Sequence, residues 1–352
     1  MNKIIAISLS CVTILFGSMT FIKAQLNEES ALMAKRFLAL HGTFRTGQDL
    51  TRPDFKALVS KVSGVIPRLY DSIEYKKLFL VSKNRAYSPK TGLTIEPFGR
   101  LVRIVSLHPN SIAAKAGLST NDMIRSINGV YPMHINHAWE LLEEKSSCSI
   151  EALRGNTIRK HVFVSSFYPM NRIHYMINED VLTIKVFALD EALLSELFTF
   201  ETQLRSKAIN AIELDIRNII GIGELKTVLN VADEFIDDET EVMTLNAGDI
   251  SYVHTSVAGG RFVGIPLKVK IDSTVQGYGL ILAGLLASFA DAELIGSPTS
   301  TDGLLQSFIK IQDSPVMYLA IPYANYEIEQ CPPLDGRGLS PGKLNEEHIV
   351  AK

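Results

Sequence analysis

The stretch from residue 111 to residue 129 reads S-I-A-A-K-A-G-L-S-T-N-D-M-I-R-S-I-N-G and predicts a short helix, a turn and a strand. Its first half is rich in small apolar residues that can pack a short helix. Gly117 is expected to end that helix, because glycine readily adopts the left-handed conformation of a helix C-terminus. Asp122 precedes the strand, and Asn128-Gly129 is a strong turn signal. The stretch therefore predicts one compact module.

This pattern resembles PDZ domains, which carry a similar sequence, S-P-A-x-x-A-G-L-x-x-G-D-x-I-x-x-I-N-G. Asn121 replaces a glycine, which is tolerable because asparagine also visits positive φ. PDZ domains bind peptide C-termini by adding a strand to a sheet edge, while backbone N–H groups hold the carboxylate. The resemblance implies six peptide-binding residues, namely Gly92, Leu93, Thr94 and Ile95 in the carboxylate loop and His137 and Leu141 in a groove helix over residues 137–142. The alternative is a PDZ fold that only braces its neighbour.

The sequence on both sides of this module shows different periodicities. Apolar residues at three- and four-residue spacing predict a helical segment within residues 28–79. The stretch R-A-Y-S-P-K at residues 85–90 is predicted to be a loop. Short strands follow from residue 91 to 164, interrupted by one helix at residues 136–144. Strands and helices alternate beyond Ser165, with strands at 181–186, 211–216 and 267–271 and helices at 191–206, 224–236 and 278–290. This alternation favours a mostly parallel sheet with helices on both faces.

The stretch A-I-E-L-D-I-R-N-I-I-G-I-G-E-L at residues 211–225 is the second motif. It resembles the L-D-L-R-N-N-P-G-G-x-L signature of carboxyl-terminal processing proteases, the serine peptidases of family S41. In that family this loop helps to shape the oxyanion pocket, where glycine lets backbone N–H groups approach the substrate carbonyl. Gly221 matches the first glycine of the signature, and Ile222 replaces the second. A β-branched residue restricts the backbone there, so the resemblance implies an altered pocket.

Two further stretches resemble the catalytic segments of the same family. Residues 269–286, V-K-I-D-S-T-V-Q-G-Y-G-L-I-L-A-G-L-L, resemble its strand, nucleophile turn and helix, and they place Gly277 at the serine. Residues 296–306, G-S-P-T-S-T-D-G-L-L-Q, resemble its lysine motif, G-E-x-T-F-G-K-G-x-x-Q. Asp302 stands at the lysine position, and Gln306 is retained. Serine–lysine catalysis needs a hydroxyl and an amine within hydrogen-bond reach. The resemblance therefore implies a retained scaffold whose catalytic pair is missing.

An active serine endopeptidase with a relocated nucleophile is the alternative. Ser273 lies a few residues before the turn, and three lysines are candidate bases, namely Lys268, Lys270 and Lys310. No G-x-S-x-G elbow, H-E-x-x-H motif or P-loop offers another catalytic set. His108, His134 and His137 lack a regular metal-ligand spacing, so neither a metal nor a cofactor is expected.

The N-terminus and the overall charge bear on localisation and partners. Lys3 is followed by an apolar stretch over residues 4–22, and Ala24 is a plausible cleavage point. These features predict a signal peptide or, alternatively, an uncleaved membrane anchor, and hence a periplasmic or secreted protein. The formal net charge is -3, and no Lys/Arg-rich run is present. Nucleic acid is therefore not an expected partner.

Together these patterns predict a mixed fold, α+β or α/β, in a chain of 352 residues. The expected organisation is a signal peptide or anchor at 1–24, a helical segment at 25–87, a PDZ domain at 88–166, a protease-like α/β core with a mostly parallel sheet at 167–345, and a tail at 346–352. The resemblance implies an exported, catalytically inactive scaffold or regulator. Its partners would be protein or peptide C-termini, with a homo-oligomer or a partner protease as further candidates.

Overall fold

A computed structural model describes residues 68–199, 209–221, 223–247, 250–299, 304–313, 316–332, 334 and 338–344. The chain divides into two compact units, one holding residues 1–70 and 306–323 and the other residues 71–305 and 324–352. The described residues of the first unit lie in strands β1 (Arg68–Asp71), β16 (Leu304–Asp313) and β17 (Val316–Ile328). Within that unit β16 pairs with β17.

The second unit begins with helix α1 (Ser72–Leu80), which Asp71 caps. The Asp71 carboxylate accepts hydrogen bonds from the Ile73 and Glu74 amides, at 2.8 Å each, while the Glu74 side chain accepts from the Asp71 amide at 3.0 Å. This reciprocal capping box satisfies amides that the first turn of a helix leaves free.

A seven-stranded antiparallel sheet follows α1, with strands in the order β2 to β8. Helices α2 (Ile112–Lys115) and α3 (Ile135–Glu144) accompany it. The strands are β2 (Val81–Ser82), β3 (Arg85–Ser88), β4 (Leu93–Phe98), β5 (Leu101–Leu107), β6 (Met123–Ile127), β7 (Ser147–Arg154) and β8 (Thr157–Val164). Alternate residues of β5 and β7 are buried, as expected for strands with one face on a core. Ile104, Ile124, Leu142 and Ile150 are fully buried in that core.

A second sheet has the order β15-β14-β11-β10-β9. Its pairs are parallel except the one between β9 and β10. The strands are β9 (Ile173–Asn178), β10 (Val181–Val186), β11 (Ala211–Asp215), β14 (Leu267–Ile271) and β15 (Glu293–Gly296), and the helices of this region are α4 (Ala192–Phe198), α5 (Leu225–Asp233) and α6 (Tyr278–Phe289). Helix α6 is buried over most of its length, so the apolar run of its sequence reflects burial on all sides.

The remaining strands of the second unit are β12 (Glu241–Ala247) and β13 (Ile250–Thr255), which pair with each other in antiparallel fashion. Strand β12 also pairs with the last residues of β17, from Asn246 opposite Asn325 to Met243 opposite Ile328. Helix α6 contacts β12, so this strand is part of the environment that buries the apolar helix.

The predicted mixed fold is confirmed, and the predicted strands at 181–186 and 267–271 coincide with β10 and β14. The predicted groove helix is α3. The prediction of a loop at residues 85–90 was wrong, because residues 85–88 form β3 and pair with β4. This strand belongs to the antiparallel sheet, although the expected domain boundary at residue 88 cuts through it. Residues 1–67, which include the expected signal peptide and most of the helical segment, lie outside the described residues, as does the expected tail.

Candidate functional site

The turn between β14 and α6 carries Gly277, the residue predicted at the nucleophile position. Gly277 caps α6 with φ 53° and ψ −125°, a conformation that glycine adopts far more readily than other residues. A Cβ atom added at Gly277 would meet no atom of the described residues within 4 Å. A sharp, strained strand-to-helix turn is also how α/β-hydrolases expose a nucleophile. Gly277 therefore lies at a strand-to-helix turn of comparable kind, and no described residue fills the space where a side chain would project.

Polar contacts tie this turn to the predicted oxyanion loop. The Thr274 amide donates to Asp272 Oδ1 at 2.8 Å, and the Thr274 hydroxyl donates to the same oxygen. Thr274 Oγ1 in turn accepts a hydrogen bond from the Asn218 amide at 2.9 Å. The Asn218 carbonyl accepts from Ser82 Oγ at 3.1 Å. The hydroxyl of Thr274 thus holds two loops together and is already engaged on both sides.

The predicted oxyanion loop begins with an ion pair between the buried Asp215 and the partly exposed Arg217. Arg217 Nε and Nη2 each donate to the Asp215 carboxylate at 2.8 Å, a two-point contact. Burial alone would raise the pKa of Asp215, but hydrogen bonds and charge from Arg217 outweigh it, and the pKa lies below its ordinary value. Asn218 has φ 56°. These contacts fix the path of the chain out of β11.

The two isoleucines that replace the family's Asn-Pro pack inward. Ile220 is buried, and its amide donates to the Phe187 carbonyl at 2.6 Å. The Ile219 side chain lies 3.4 Å from where a Cβ on Gly279 would be, in the first turn of α6. Gly221 has φ 85°, and a Cβ there would lie 3.2 Å from the Phe79 carbonyl oxygen. Ile222, the residue at the second glycine, lies outside the described residues.

The lysine motif is described only in part. Asp302 lies outside the described residues. Gln306 is on strand β16, and Gly296, the first residue of the motif, ends β15. Thr299 is buried, and its hydroxyl accepts from the Leu339 amide at 2.8 Å. The described part of the motif therefore has a packing role.

The alternative catalytic residues are not brought together where the structure describes them. Ser273 is exposed, and no described side chain bonds to its hydroxyl. Lys268 pairs with Glu293 at 3.3 Å, and Lys270 pairs with Glu213. Both lysines are on β14, held by carboxylates of the neighbouring strands. Lys310 lies on β16. Among the described residues, no group of His, Cys, Asp and Glu could hold a metal ion.

The six predicted peptide-binding residues lie in two neighbouring elements, the start of β4 and α3. Leu93 and Ile95 are fully buried in the core of the antiparallel sheet, and Leu141 belongs to the same core. His137 Nδ1 accepts from the Met133 amide at 3.2 Å, and the His137 amide donates to His134 Nδ1 at 3.1 Å. His137 therefore contributes to the start of α3.

A buried group of charges, missed by the sequence analysis, joins the antiparallel sheet to the α/β region. Arg85 is 1% exposed, and its Nη1 donates to the Val186 carbonyl at 3.2 Å. Glu96 accepts from Arg103 and from Lys185, the latter at 3.0 Å, and lies 3.7 Å from Arg85. Burial lowers the pKa of Arg85 to about 10, against the opposing charge of Glu96. Arg85 went unnoticed because it falls in the segment predicted to be a loop.

Comparison with known proteins gives the class of this fold. Residues 103–154 match the family model described as "PDZ domain". The chain is 24% identical over 292 residues to a carboxyl-terminal-processing protease of Picosynechococcus, covering 79% of this chain and 68% of the relative. It is 23% identical over 236 residues to the carboxy-terminal processing protease CtpA of Bacillus subtilis, covering 65% of this chain and 50% of that protein.

A solved structure gives the same answer for the fold. A putative S41 protease from Bacteroides fragilis superimposes with a TM-score of 0.58 at 13% identity, covering 88% of this chain and 87% of that one. The predicted resemblance to carboxyl-terminal processing proteases is thus confirmed. The chain combines a PDZ domain with the fold of an S41 protease.

Proposed function

We propose that this protein acts by binding rather than by cleavage, as an S41-fold scaffold or regulator whose catalytic pair is missing. The observation that carries the proposal is Gly277. It stands on a nucleophile-like turn with no side chain, whereas serine peptidase chemistry needs a hydroxyl activated by a neighbouring base. The sequence also places Asp302 at the lysine position, which supports the loss of the catalytic pair. The retained PDZ domain supplies the means of binding protein or peptide C-termini.

An active endopeptidase with a relocated nucleophile is the second candidate. Ser273 is exposed near the turn, and this exposure favours it over Thr274, whose hydroxyl is bonded to Asp272 and Asn218. The two lysines of β14 are each paired with a carboxylate of a neighbouring strand, and neither is shown bonded to Ser273. The binding function therefore has more support.

Degradation of an unstructured peptide with an apolar C-terminus tests the proposal. The natural chain is compared with Gly277→Ser/Asp302→Lys and with an active carboxyl-terminal processing protease as positive control. We expect no fragments from the natural chain by mass spectrometry. Cleavage by the natural chain that disappears in Ser273→Ala would contradict the proposal and support the relocated nucleophile. Cleavage by the double variant would indicate that only the two side chains are lacking.

We also propose export to the periplasm or the outside of the cell, on the strength of the N-terminal sequence. In the described part of the chain, none of the helices is long and apolar enough to cross a membrane. N-terminal sequencing of the mature chain tests cleavage, with Gln25 as the expected first residue. A mature chain that retains Met1 and sediments with membranes would favour the anchor. A homo-oligomer or a complex with a partner protease stays a prediction that light scattering can test.

A further inference from the structure

The groove of the PDZ domain already contains a strand of the same chain. A PDZ ligand adds to the free edge of one strand, between that strand and a helix, with its C-terminus against the loop amides that precede the strand. In this chain the accepting strand is β4 and the groove helix is α3. Strand β5 pairs with one edge of β4, and strand β3 pairs with the other. The edge that a peptide would need is therefore occupied.

Strand β3 runs in the direction that a bound peptide would take. It is antiparallel to β4, with Ala86 opposite Ile95, Tyr87 opposite Thr94 and Ser88 opposite Leu93. The C-terminal end of β3 thus lies beside the start of β4, next to the predicted carboxylate loop. All four residues of β3 are buried, including a charged and a hydroxyl residue. Such burial is typical of a strand enclosed on both sides.

The groove helix holds β3 through two hydrogen bonds. Trp139 Nε1 donates to the Tyr87 carbonyl at 2.9 Å, in a buried position. Ser88 Oγ donates to Glu143 Oε1 at 2.7 Å. Trp139 and Glu143 are four residues apart and so lie on one face of α3. The face of α3 that is bonded to β3 is therefore the one that carries Trp139 and Glu143, not the one that carries the predicted His137 and Leu141.

The loop amides are engaged as well. The Thr91 and Gly92 amides donate to the Ser88 carbonyl at 3.2 Å and 2.8 Å. Gly92 has φ 72°, and a Cβ there would lie 2.8 Å from the Ser111 Cβ, so the position requires glycine. The Ser88 carbonyl thus engages the amide of Gly92, the first residue of the predicted carboxylate loop, together with the amide of Thr91 just before it.

We propose that β3 is a built-in occupant of the PDZ groove, and that a peptide C-terminus binds there only by displacing it. The proposal rests on the proposed function, because it concerns access to the same PDZ groove. A tethered strand competes at a high effective concentration. The apparent affinity for a free peptide is therefore the intrinsic affinity multiplied by the fraction of grooves that are open. Displacement would also withdraw Arg85 from the Val186 carbonyl and Glu96.

A disulfide lock tests this directly. Tyr87→Cys/Thr94→Cys places two cysteines directly opposite each other on β3 and β4, where cross-strand Cβ atoms lie close enough for a bond. The probe is a set of fluorescein-labelled ten-residue peptides with randomised sequence and a free C-terminal valine. We expect the oxidised form to bind at least ten times more weakly than the reduced form by anisotropy. The two single-cysteine variants under the same oxidant are the controls.

The converse variant opens the groove. Ser88→Asp places a second carboxylate beside Glu143, which disfavours the buried position of β3. Ser88→Asn can still donate to Glu143 and is the matched control. We expect Ser88→Asp to bind the free-carboxylate probe at least ten times more tightly than the natural chain, and Ser88→Asn to bind like the natural chain. Circular dichroism establishes that each variant is folded.

Trp139 reports the displacement itself, because it is the single tryptophan of the chain and its indole is bonded to β3. Its emission is expected to shift to the red on peptide binding to Ser88→Asp and to stay unchanged in the oxidised lock. Equal binding by the oxidised and reduced forms, or no gain in Ser88→Asp, would overturn the proposal. Neither result bears on cleavage, so the test separates this inference from the proposed absence of catalysis.

Discussion

The PDZ groove and the predicted nucleophile turn differ in what stands where a peptide and a serine side chain are expected. In the proposed groove β3 takes the position of a peptide, with Trp139, Glu143 and the amides of Thr91 and Gly92 bonded to it. At the predicted nucleophile turn the backbone has a positive φ that suits glycine, and Gly277 has no side chain to offer. One site is occupied by the chain itself, and the other lacks the side chain it would need.

This difference has a physical consequence for reversibility. Vacating an occupied groove breaks only non-covalent contacts, and each hydrogen bond among them is worth about 1 kcal/mol net. A missing hydroxyl cannot be supplied by any movement of the backbone. The comparison therefore separates a site that a partner can regulate from one that only mutation can restore.

The largest expected effect is the loss of stability on replacing Gly296 with alanine, and it is compared with the same change at Gly277. Gly296→Ala should destabilise the protein by about 3–5 kcal/mol, because its Cβ would lie 2.2 Å from the Ile271 carbonyl oxygen. Gly277→Ala, which meets open space, should cost only about 1 kcal/mol from its positive φ. Urea unfolding followed by circular dichroism measures both. Equal destabilisation by the two variants would mean that the turn is not open.

The second prediction concerns a buried carboxyl of the core that lies outside the turn. Burial raises the pKa of Asp233 to about 6. The folded state therefore binds its proton more tightly than the unfolded state, and this contribution to stability is lost as the pH rises from about 4 to about 6. Asp233→Asn should stabilise the protein at pH 7.5 by about 2 kcal/mol.

The pH dependence of unfolding from pH 4 to pH 8 checks this prediction. His254, whose Nε2 lies 3.9 Å from Asp233, has a pKa lowered by burial, so its contribution is lost as the pH falls. The difference between the natural chain and Asp233→Asn isolates the aspartate from this opposite trend. A difference that does not change with pH would contradict the raised pKa of Asp233.

The smallest expected effect concerns the hydrogen bond from Trp139 that holds β3 in the groove. Trp139→Phe removes the hydrogen bond to the Tyr87 carbonyl and should cost about 1 kcal/mol. Amide exchange in β3 should become faster, while exchange in β10 stays unchanged. Phe167→Leu is the control, because Phe167 is 78% exposed, and surface substitutions stay within about 0.5 kcal/mol. Unchanged exchange in β3 would argue that Trp139 does not hold the strand.

The sequence predicted the elements that carry regular periodicity, such as β10, β14 and the groove helix α3. It failed at β3 because R-A-Y-S-P-K has a turn signal and no alternation of apolar and polar residues. The burial of Arg85 and Ser88 depends on partners 101 and 55 residues away in the chain, which local patterns do not register. His137 and Leu141 were predicted on the groove side of α3, whereas Trp139 and Glu143 are the residues bonded to β3.

The candidate catalytic positions were predictable only through motif resemblance. Gly277 was assigned from the flanking I-L-A-G run, and the structure adds that its φ is positive and that no described residue lies where its side chain would project. The sequence could not indicate that Thr274 joins the turn to Asn218, because that contact spans 56 residues. Long-range contacts of this kind decide which hydroxyls are free to react.

Covalent labelling of the natural chain by a fluorophosphonate probe tests the central claim most directly, because the probe reacts with activated serines whatever the substrate. The folded natural chain, beside an active carboxyl-terminal processing protease as positive control, is analysed by intact mass spectrometry. We predict no mass increase for the natural chain. A single adduct that disappears in Ser273→Ala would contradict the account and identify a relocated nucleophile.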